Sequence, residues 1–390
     1  MCLLPPDERF LSLALDLAYQ ARGLASPNPT VGCVLTLGSN IIGQGAHLYD
    51  HRDHAEIAAL KQAAALGHAT HGATAYVTLE PCSHHGRTGP CADALIAAGI
   101  TRCVIATVDP NPQVRGGGIA KLRAANIETL IADPTSSLAQ QARHLNDAFA
   151  FAIQQGRPFV TLKAAVSVDG KLAPAPSQRT ATQPHWLTGE AARADVQQLR
   201  HSADAILTGI GTILSDNPSL TDRTALPRRR PLLRVILDSD LRTPPHSQVV
   251  TSAANDTLIF CRSNAPAERE QALSGHGVTI HRLADTTQHL DLHSVLAALH
   301  TRDIRNLLIE AGSNLNGSFL CADLVDKLVL YYSESELGLD ALPFATGIAS
   351  PYVIQQQLQH TTRATFPHGN SSDSEDIRIT GYLHNPWADI

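Results

Sequence analysis

The sequence lacks the features of several broad classes of protein. No apolar run approaches the ~20 residues that a membrane-spanning helix needs, and the N-terminus has neither the basic stretch nor the apolar core of a signal peptide. An excess of positive charge is also lacking, because the formal net charge is -6 at pH 7. Proteins that grip duplex nucleic acid are normally basic, so we expect a small-molecule partner, no nucleic acid and no membrane.

A disulfide framework is not expected either. Seven cysteines are an odd number in a chain of 390 residues, whereas disulfide scaffolds are typical of short secreted sequences. Reduced thiols in a cytoplasmic enzyme are therefore predicted. Hydrophobic residues make up 43% and charged residues 17%, a balance that supports two or three globular domains of ~150 residues each. The oligomeric state stays open, a homo-oligomer included.

The first part of the chain alternates between helical and strand-like patterns. Apolar positions from Phe10 to Ala21 follow helical spacing, and Asp7 is expected to cap this helix. Further helices are predicted over 54–66, 91–98 and 136–150, and strands over 31–35, 41–42, 75–79 and 103–108. The strands at 31–35 and 41–42 are expected to form a hairpin. This alternation predicts an α/β sandwich in which helices cover a mixed sheet.

The pattern ends near Gly156, where Gly and Pro precede a new strand-like run. We therefore predict one domain over 1–150 and a second over 157–390. The strands predicted in the second domain cover 159–165, 205–208, 233–237, 257–261, 306–309 and 327–332, and its helices cover 189–200, 292–299 and 315–324. The polar stretch 369–374 is expected to be a mobile surface loop.

The most specific chemical signal consists of His54, Glu56, Cys82 and Cys91. One imidazole and two thiolates make a three-ligand zinc site that leaves a fourth position for water, whereas a structural site normally has four protein ligands. Zinc lowers the pKa of its bound water to ~7. Glu56 lies two residues after the histidine and is expected to carry a proton from that water to a leaving amine, as in the zinc base deaminases.

The segment around these cysteines, TLEPCSHHGRTGPC over 78–91, resembles the signature of the bifunctional riboflavin-biosynthesis deaminase/reductase family. Eight residues separate Cys82 from Cys91, whereas two separate the cysteines of ordinary cytidine deaminases. The segments SPNPTVG over 26–32 and DPNPQVRGGG over 109–118 also match the family. The resemblance extends over nearly the whole chain.

The resemblance implies a three-layer cytidine-deaminase-like domain followed by a dihydrofolate-reductase-like α/β domain. It implies a first reaction on 2,5-diamino-6-(5-phosphoribosylamino)pyrimidin-4-one, a phosphoribosyl pyrimidine whose ring amine at C2 is hydrolysed. It also implies that Asn28, His47, His84 and Arg87 surround this substrate. Amide and imidazole groups can read a pyrimidine edge, and an arginine can neutralise a phosphate.

The second half carries less specific signals. Lys163 lies on a predicted strand that runs into a turn, and a glycine-containing loop is predicted over 209–212, where backbone could approach a ligand closely. The strand at 306–309 is followed by small residues and a helix start, whose free amides would suit a dinucleotide phosphate. Since no G-x-G-x-x-G motif follows a strand, a Rossmann fold is not predicted.

For this half the resemblance implies that NADPH reduces the ribosyl group of the deaminated pyrimidine, giving 5-amino-6-(5-phosphoribitylamino)uracil. The residues that it assigns to the cofactor are Val166, Trp186, Thr212, Asp216, Ser239, Gly312, Ser313, Asn314, Leu315, Asn316, Gly317 and Ser318. Those that it assigns to the substrate are Arg200, Leu220, Arg223 and Glu310. Lys163 is a further candidate, because a cation that faces the pocket can hold a phosphate or a hydroxyl.

Two positions depart from the family pattern. The serine usually found two residues before Trp186 is Pro184, and 333–336 reads Ser-Glu-Ser-Glu where the family has Ala-Pro-Lys-Leu. These departures favour an alternative in which an active deaminase carries a reductase-like domain that is only a scaffold. A nucleic-acid base editor is a third hypothesis, which the acidic net charge disfavours. The dense basic run at 228–230 lies between prolines and is predicted to be a solvated face.

Overall fold

A computed structural model of the chain describes residues 3–85, 89–178, 186–284, 289–367, 375–388 and 390. The chain divides into two units. The first comprises Met1–Gly156 together with the short segments Pro227–Arg230 and Pro386–Ile390, and the second comprises Arg157–Leu226 and Pro231–Asn385. The sequence pattern indicates neither of the two short segments of the first unit.

The first unit contains one sheet. Its strands are β1 (Gly32–Leu37), β2 (Asn40–Ala46), β3 (Thr74–Val77), β4 (Arg102–Ile105) and β5 (Glu128–Ile131), in the order β2-β1-β3-β4-β5. β1 is antiparallel to β2 and β3, whereas β3, β4 and β5 are parallel. Its helices are α1 (Pro5–Gln20), α2 (Ala55–Ala65), α3 (Cys91–Ala97), α4 (Gly117–Ala124), α5 (Ser137–Leu145) and α6 (Asp147–Gln155).

Helices cover both faces of this sheet. Successive strand residues point to opposite faces, so Leu35 packs among residues of α2, α3 and α4, whereas Val34 packs among residues of α1 and α5. The predicted α/β sandwich is therefore confirmed as three layers, with a mixed sheet in the middle.

Glycines bring α2 into backbone contact with β2. A Cβ atom on Gly43 would lie 2.3 Å from the carbonyl oxygen of Ala59, and one on Gly45 would lie 2.6 Å from the Cβ atom of Ala58. Only a residue without a side chain allows so close an approach. The position of α2 on the sheet is therefore fixed, and with it the position of His54, which immediately precedes the helix.

Two predictions for this unit are wrong in detail. Asp7 does not cap α1; the helix begins at Pro5, and the buried Asp7 carboxylate instead accepts hydrogen bonds from Arg102 (2.6 and 2.9 Å) and from Tyr76 (3.1 Å). Residues 136–150 do not form one helix, because the helical conformation is interrupted at Asn146. The Asn146 backbone departs from helical geometry, with φ of -116° and ψ of 13°. Its buried side-chain amide accepts from the Thr30 N–H and donates to the Thr30 carbonyl.

The second unit contains a larger sheet. The strands of this unit are β6 (Phe159–Ser167), β7 (Lys171–Ala173), β8 (Ala205–Gly209), β9 (Leu233–Leu237), β10 (Thr257–Arg262), β11 (Val278–Leu283), β12 (Asn306–Ile309), β13 (Lys327–Ser333), β14 (Leu342–Pro343), β15 (Gln359–Pro367) and β16 (Glu375–Tyr382). Its helices are α7 (Glu190–Ser202), α8 (Ile210–Asp216), α9 (Gln248–Thr251), α10 (Ala267–Ser274), α11 (Leu292–His300), α12 (Ser313–Cys321) and α13 (Pro351–Gln355).

The strand order of the large sheet is β11-β10-β9-β8-β12-β6-β13-β16-β15, and β7 pairs separately with β14. The strands from β11 to β13 in this order are parallel, and β16 and β15 are antiparallel additions. The carboxyl ends of β9, β8, β12 and β6 therefore lie side by side at one edge. In open α/β sheets this edge is where ligands bind.

Two predictions for the second half are wrong, and a third concerns residues that the structure does not describe. Residues 209–212 are not a loop, because α8 begins at Ile210 directly after β8. The run 228–230 is not a solvated face, since the Arg229 guanidinium lies 4.1 Å from the centre of the Tyr49 ring and Arg228 Nε donates to the Arg230 carbonyl. The loop predicted at 369–374 lies outside the described residues.

The carboxylate of Asp326 joins the two ends of the second unit. It is fully buried and accepts hydrogen bonds from the Arg157 guanidinium (2.8 Å to each oxygen), the Val160 amide (2.8 Å) and His384 Nδ1 (3.0 Å). The Asp326 carbonyl accepts from the Leu383 amide (2.8 Å). The first and last residues of this unit are therefore neighbours. No helix in the described part of the chain is long and apolar enough to cross a membrane.

We expect Asp7→Asn to lower the free energy of unfolding of the first unit by about 1–3 kcal/mol, because charge-assisted hydrogen bonds from Arg102 are lost. The Arg102 hydrogen bonds hold the pKa of Asp7 below its usual value. Its contribution is therefore present above the pKa of the unfolded chain and is lost as the pH falls through the lower, folded pKa.

Urea unfolding at several pH values measures this difference. The fluorescence of Trp387, which is buried in the first unit, reports the transition. Because the chain has two tryptophans, both proteins would carry Trp186→Phe to remove the other signal. The two stabilities should converge at acidic pH, and a difference that stays constant with pH would contradict the assignment to Asp7.

Candidate active sites

Three potential metal ligands converge at one point of the first unit. His54 precedes α2, Cys91 opens α3, and Cys82 lies in the segment that follows β3. His54 Nδ1 lies 3.5 Å from Cys82 Sγ and 3.2 Å from Cys91 Sγ, and the three ligand atoms lie within 4.8 Å of one another. The Cys91 amide also donates to Cys82 Sγ (3.3 Å). The cluster is thus formed by the residue that precedes α2, the first residue of α3 and a residue of the segment after β3.

These separations suit zinc. In a tetrahedral site with Zn–S of about 2.3 Å and Zn–N of about 2.0–2.1 Å, neighbouring nitrogen and sulfur ligands lie about 3.5 Å apart. Hydrogen bonds from Cys91 and His54 hold the pKa of the Cys82 thiol well below its usual value. Cys82 therefore offers the thiolate form that binds zinc. The hydrogen bond with Cys82 and burial raise the pKa of Cys91, whose thiol would release its proton on binding the metal. One imidazole and two cysteines at these separations are a donor set that suits zinc.

Glu56 lies beside this cluster, in the first turn of α2, and is buried at 3% exposure. Burial and the negative charge of Cys82 raise the pKa of Glu56 to about 7, and its carboxylate accepts a hydrogen bond from the Cys91 thiol. A group with a pKa near neutrality can both accept and donate a proton at the operating pH.

His47 and Asn28 line the same region. His47 Nδ1 donates to the carbonyl of Asp53 (2.8 Å), so Nε2 accepts from the Asn28 amide at 3.1 Å. The His47 ring is 3% exposed and meets the His54 ring edge-on, with centroids 5.3 Å apart. Burial lowers the pKa of His47, which favours the neutral ring. Asn28, His47 and His54 are therefore held together.

The remaining predicted substrate residues of the first site differ in position. His84 is exposed and follows Cys82 by two residues, whereas Arg87 lies outside the described residues. One group near the cluster is missed by sequence reasoning: Asp109 is 7% exposed, and burial raises its pKa to about 6. The 109–118 segment is part of the family resemblance, but nothing in its pattern indicates that this carboxyl is buried beside Cys82 and His84.

The predicted substrate residues of the second unit form a charged cluster at the carboxyl edge of its sheet. The Arg200 guanidinium, from α7, binds both carboxylate oxygens of Glu310 at 2.8 and 3.1 Å, directly after β12. Lys163 Nζ, from β6, lies 3.9 Å from Glu310 Oε2 and 5.6 Å from the centre of the Tyr331 ring. Burial lowers the pKa of Lys163. The positive charges of Arg200 and Lys163 outweigh burial and lower the pKa of Glu310.

The loop after α8 adds Leu220 and Arg223 to this region. Arg200 donates to the Thr221 carbonyl (3.0 Å), and the Arg223 amide donates to Gln197 of α7 (3.0 Å). Leu220 is buried with φ of 53°, a left-handed conformation that costs a branched aliphatic residue free energy. The Arg223 side chain is exposed, and its charge also acts on Glu310.

The predicted cofactor residues divide into two groups. Val166 lies on β6 and Ser239 two residues after β9, near the sheet edge that carries Glu310, whereas Thr212 and Asp216 lie in α8, which follows β8. Trp186 is 61% exposed, with the Arg193 guanidinium 5.2 Å from its ring centre.

The residues 312–318 at the start of α12 form the second group, and several of their side chains pack inward. Asn316 Nδ2 donates to the Phe344 carbonyl (2.9 Å), and Ser313 Oγ lies 3.1 Å from Thr346 Oγ1. A Cβ atom on Gly317 would lie 2.1 Å from the Thr346 carbonyl oxygen. Asn314 and Ser318 are exposed, and Gly312 and Leu315 are half-buried.

Only one of the two departures from the family pattern lies within the described residues. Pro184 lies outside the described residues. Ser333 is buried at the end of β13, whereas the Glu334 and Glu336 side chains are exposed.

Two family models match the chain. The cytidine and deoxycytidylate deaminase zinc-binding region matches residues 5–107, and the RibD C-terminal domain matches residues 158–363. The riboflavin biosynthesis protein RibD of Bacillus amyloliquefaciens is 40% identical over 332 residues, 85% of each chain. The protein of the same name from Escherichia coli (strain K12) is 38% identical over 351 residues, 87% of this chain and 91% of the relative.

Solved structures are similar over the whole length. RibD of Acinetobacter baumannii has a TM-score of 0.76 at 33% identity and covers 97% of this chain and 98% of its own. A Thermotoga maritima diaminohydroxyphosphoribosylaminopyrimidine deaminase/5-amino-6-(5-phosphoribosylamino)uracil reductase has a TM-score of 0.77 at 32% identity and covers 97% and 99%.

The fold and these similarities define a zinc-dependent, cytidine-deaminase-like domain joined to an NADPH-dependent, dihydrofolate-reductase-like domain, as the sequence predicts. Within that class, the chain belongs to the RibD family of riboflavin biosynthesis proteins. The predicted fold class, enzyme type and cofactors are thereby confirmed.

We expect the protein, purified without chelator, to hold about one zinc ion per chain, and Cys91→Ser to remove most of it because a hydroxyl is a poorer zinc ligand than a thiolate. Cys321→Ser is the matched control, since Cys321 is an exposed free thiol remote from the cluster in sequence. Elemental analysis measures zinc in all three proteins. Full zinc in the Cys91 variant, or equal loss in the control, would contradict this ligand set.

Proposed function

We propose that the first unit hydrolyses the C2 amine of 2,5-diamino-6-(5-phosphoribosylamino)pyrimidin-4-one and that the second reduces the ribosyl group of the resulting uracil to a ribityl chain. The observation that carries the proposal is the buried Glu56 beside the His54, Cys82 and Cys91 cluster. A metal-binding cluster with an adjacent proton carrier and three protein ligands suits hydrolysis of a ring amine.

In the deaminase reaction His54, Cys82 and Cys91 would hold the zinc, which supplies a Lewis acid for water activation. Glu56 accepts the proton that water releases as its oxygen bonds to C2 of the pyrimidine. The same carboxyl passes that proton to the ring nitrogen whose double bond to C2 is lost, and then carries the remaining hydroxyl proton to the departing amine, which leaves as ammonia while C2 becomes a carbonyl. A pKa of about 7 suits both transfers.

Asn28 and His47 would orient the pyrimidine. Because the Asp53 carbonyl fixes the Nδ1 proton of His47, Nε2 is an acceptor that can bind an N–H of the substrate in place of Asn28. The Asn28 amide can donate and accept along a pyrimidine edge. We assign His84 to the same pocket and Arg87 to the phosphate.

In the reductase reaction Lys163, Arg200 and Arg223 would bind the anionic substrate. Three cations act on the carboxylate of Glu310, and Asp222 also acts on Arg200. Three positive charges thus face two negative ones, and the remaining positive charge suits a phosphate. Leu220 would pack against the substrate. Lys163 would donate a hydrogen bond to a hydroxyl of the ribosyl group.

When bound, NADPH would supply a hydride for reduction at C1′ of the ribosyl group, whose ring oxygen would leave C1′ and take up a proton. The residues that we assign to the cofactor are Val166, Trp186, Thr212, Asp216, Ser239 and 312–318. Several of them follow strands whose carboxyl ends lie at the sheet edge where open α/β folds bind ligands. We place the boundary between the two activities near Gly156.

We further propose that the enzyme is cytoplasmic and acts on small molecules alone. All the described cysteines are free thiols, which suits a reducing compartment. The acidic net charge disfavours a nucleic-acid partner.

Glu56→Gln is expected to lower the rate of ammonia release by about 10²–10⁴-fold, because the amide keeps the size of the side chain but cannot carry the proton. Its zinc content and its reduction of the deaminated substrate with NADPH should stay at the wild-type level. Glu8→Gln, an exposed change on α1, is the matched control. Near-native ammonia release by the Glu56 variant would rule out this residue as the proton carrier.

Arg223→Ala is expected to raise the KM of the reductase for its pyrimidine substrate by about tenfold to a hundredfold, through loss of a charge-assisted contact. The Arg223 side chain is exposed, so the change opens no cavity. Arg363→Ala, an exposed arginine on the edge strand β15, is the control. An unmutated protein that releases ammonia but never oxidises NADPH would instead favour a second domain that acts only as a scaffold.

A further inference from the structure

The carboxylate of Glu80 is the most heavily hydrogen-bonded buried acid near the zinc cluster, and the deaminase mechanism gives it no role. It is 3% exposed and accepts four backbone N–H groups. Oε2 accepts from Asp109 (3.2 Å) and Gly116 (3.0 Å), and Oε1 accepts from Gly118 (3.0 Å) and Ile119 (3.2 Å). A buried carboxylate needs such partners, and here backbone amides provide them in place of a cation.

These four bonds connect Glu80 to two neighbouring segments, a turn and the start of α4, which lie 29 to 39 residues further along the chain. The bonds at Oε2 close the turn between residues 109 and 116. Those at Oε1 cap the first turn of α4, whose N–H groups have no partner within the helix and favour a negative charge. A glutamine would offer only one acceptor oxygen, and its NH₂ group would face two N–H donors.

The capped turn presses against the segment that carries Cys82. A Cβ atom on Gly118 would lie 1.8 Å from the Pro81 carbonyl oxygen, and one on Gly117 would lie 2.6 Å from Ser83 Oγ. These distances to Cβ atoms that glycine lacks show that the turn lies directly against residues 81–83, with no space even for a methyl group. The four Glu80 bonds hold the turn in this position.

The opposite side of the same segment is bonded to the start of α3. The Ala92 amide donates to the Cys82 carbonyl (3.1 Å), and the Cys91 amide donates to Cys82 Sγ (3.3 Å). The Glu80 amide itself donates to the Thr107 carbonyl at 3.0 Å. Cys82 therefore lies between the N-termini of α3 and α4, and Glu80 is the side chain that holds the second of these in place.

We infer that Glu80 is a positioning residue for deamination, which fixes the turn 109–116 and the start of α4 against residues 81–83 and so sets the position of Cys82. The inference rests on the proposed deaminase function. Glu80 thereby differs from residues that only stabilise the fold, because loss of the Glu80 hydrogen bonds would displace a zinc ligand. Groups that hydrogen-bond around metal ligands typically contribute about 10–100-fold to metal affinity or activity.

Asp7 is a control matched in chemistry. It is also a 3% exposed carboxylate of the first unit, but its partners Arg102 and Tyr76 belong to the face of the sheet covered by α1 and α5. Glu80→Gln and Asp7→Asn make the same chemical change at equal burial. If Glu80 acts only through stability, the two variants should behave alike.

The experiment compares wild type, Glu80→Gln and Asp7→Asn as full-length zinc-loaded enzymes. It measures kcat and KM for ammonia release, the rate of zinc loss to a chelator, and the thermal unfolding of the first unit. NADPH reduction of the deaminated substrate reports the integrity of the second unit. Glu80→Gln should lower kcat at least tenfold with KM within threefold, and should lose zinc at least tenfold faster, whereas Asp7→Asn should change only the unfolding temperature.

Wild-type kcat and zinc retention in a folded Glu80→Gln protein would overturn the inference, as would equal losses in both variants. A wild-type protein without ammonia release would instead overturn the proposed function, and the inference with it. If Glu80→Gln leaves the first unit unfolded at the assay temperature, Glu80→Asp takes its place. That variant keeps the charge but withdraws the oxygens, so it should still lose zinc faster than wild type, and wild-type retention would again overturn the inference.

Discussion

The deaminase site depends on one constraint, which is that helices approach the sheet of the first unit to backbone contact distance. Gly43 and Gly45 allow α2 to lie directly on β2, so the first turn of α2 delivers His54 and Glu56 to a fixed point. The starts of α3 and α4 then meet the loop after β3 from two sides, where Cys82 lies. Side chains larger than hydrogen at the glycine positions would separate the helices from the ligands that they carry.

Two buried carboxylates beside the candidate sites are stabilised in opposite ways. In the first unit, Glu80 is satisfied by backbone amides, and the positive end of a helix takes the place of a cation. In the second, Glu310 is paired with Arg200 and Lys163. Backbone amides hold a loop in one conformation, whereas flexible cations can exchange a protein carboxylate for an anionic ligand. The first arrangement therefore suits a rigid metal centre and the second suits a site that must admit and release a charged substrate.

The sequence predicts features that depend on neighbours along the chain and misses those that depend on distant partners. The zinc ligands and Glu56 form a short ordered pattern, and most strands of the second unit carry an apolar run that predicts a strand. By contrast, α4 follows glycines and is capped by a side chain more than thirty residues earlier, so no local signal marks its start. The helix is interrupted at Asn146, whose side chain bonds the distant backbone of Thr30. The start of α8 contains glycines and therefore resembles a loop in the sequence, although the helix begins directly after β8. The polar edge strand β15 has little apolar periodicity to detect.

The carboxylate of Asp326 has a consequence for how such a chain can be assembled. Because it ties Arg157 to the region of His384, the second unit begins and ends at one place, and the chain then re-enters the first unit, where Trp387 Nε1 donates to Asp147 (3.0 Å). A module with adjoining ends can be inserted into a host domain, or circularly permuted, without stretching either partner. Apart from Pro227–Arg230, which also belongs to the first unit, the second unit can therefore be read as an insertion between Gly156 and Pro386 of the first, rather than as a domain that simply follows it.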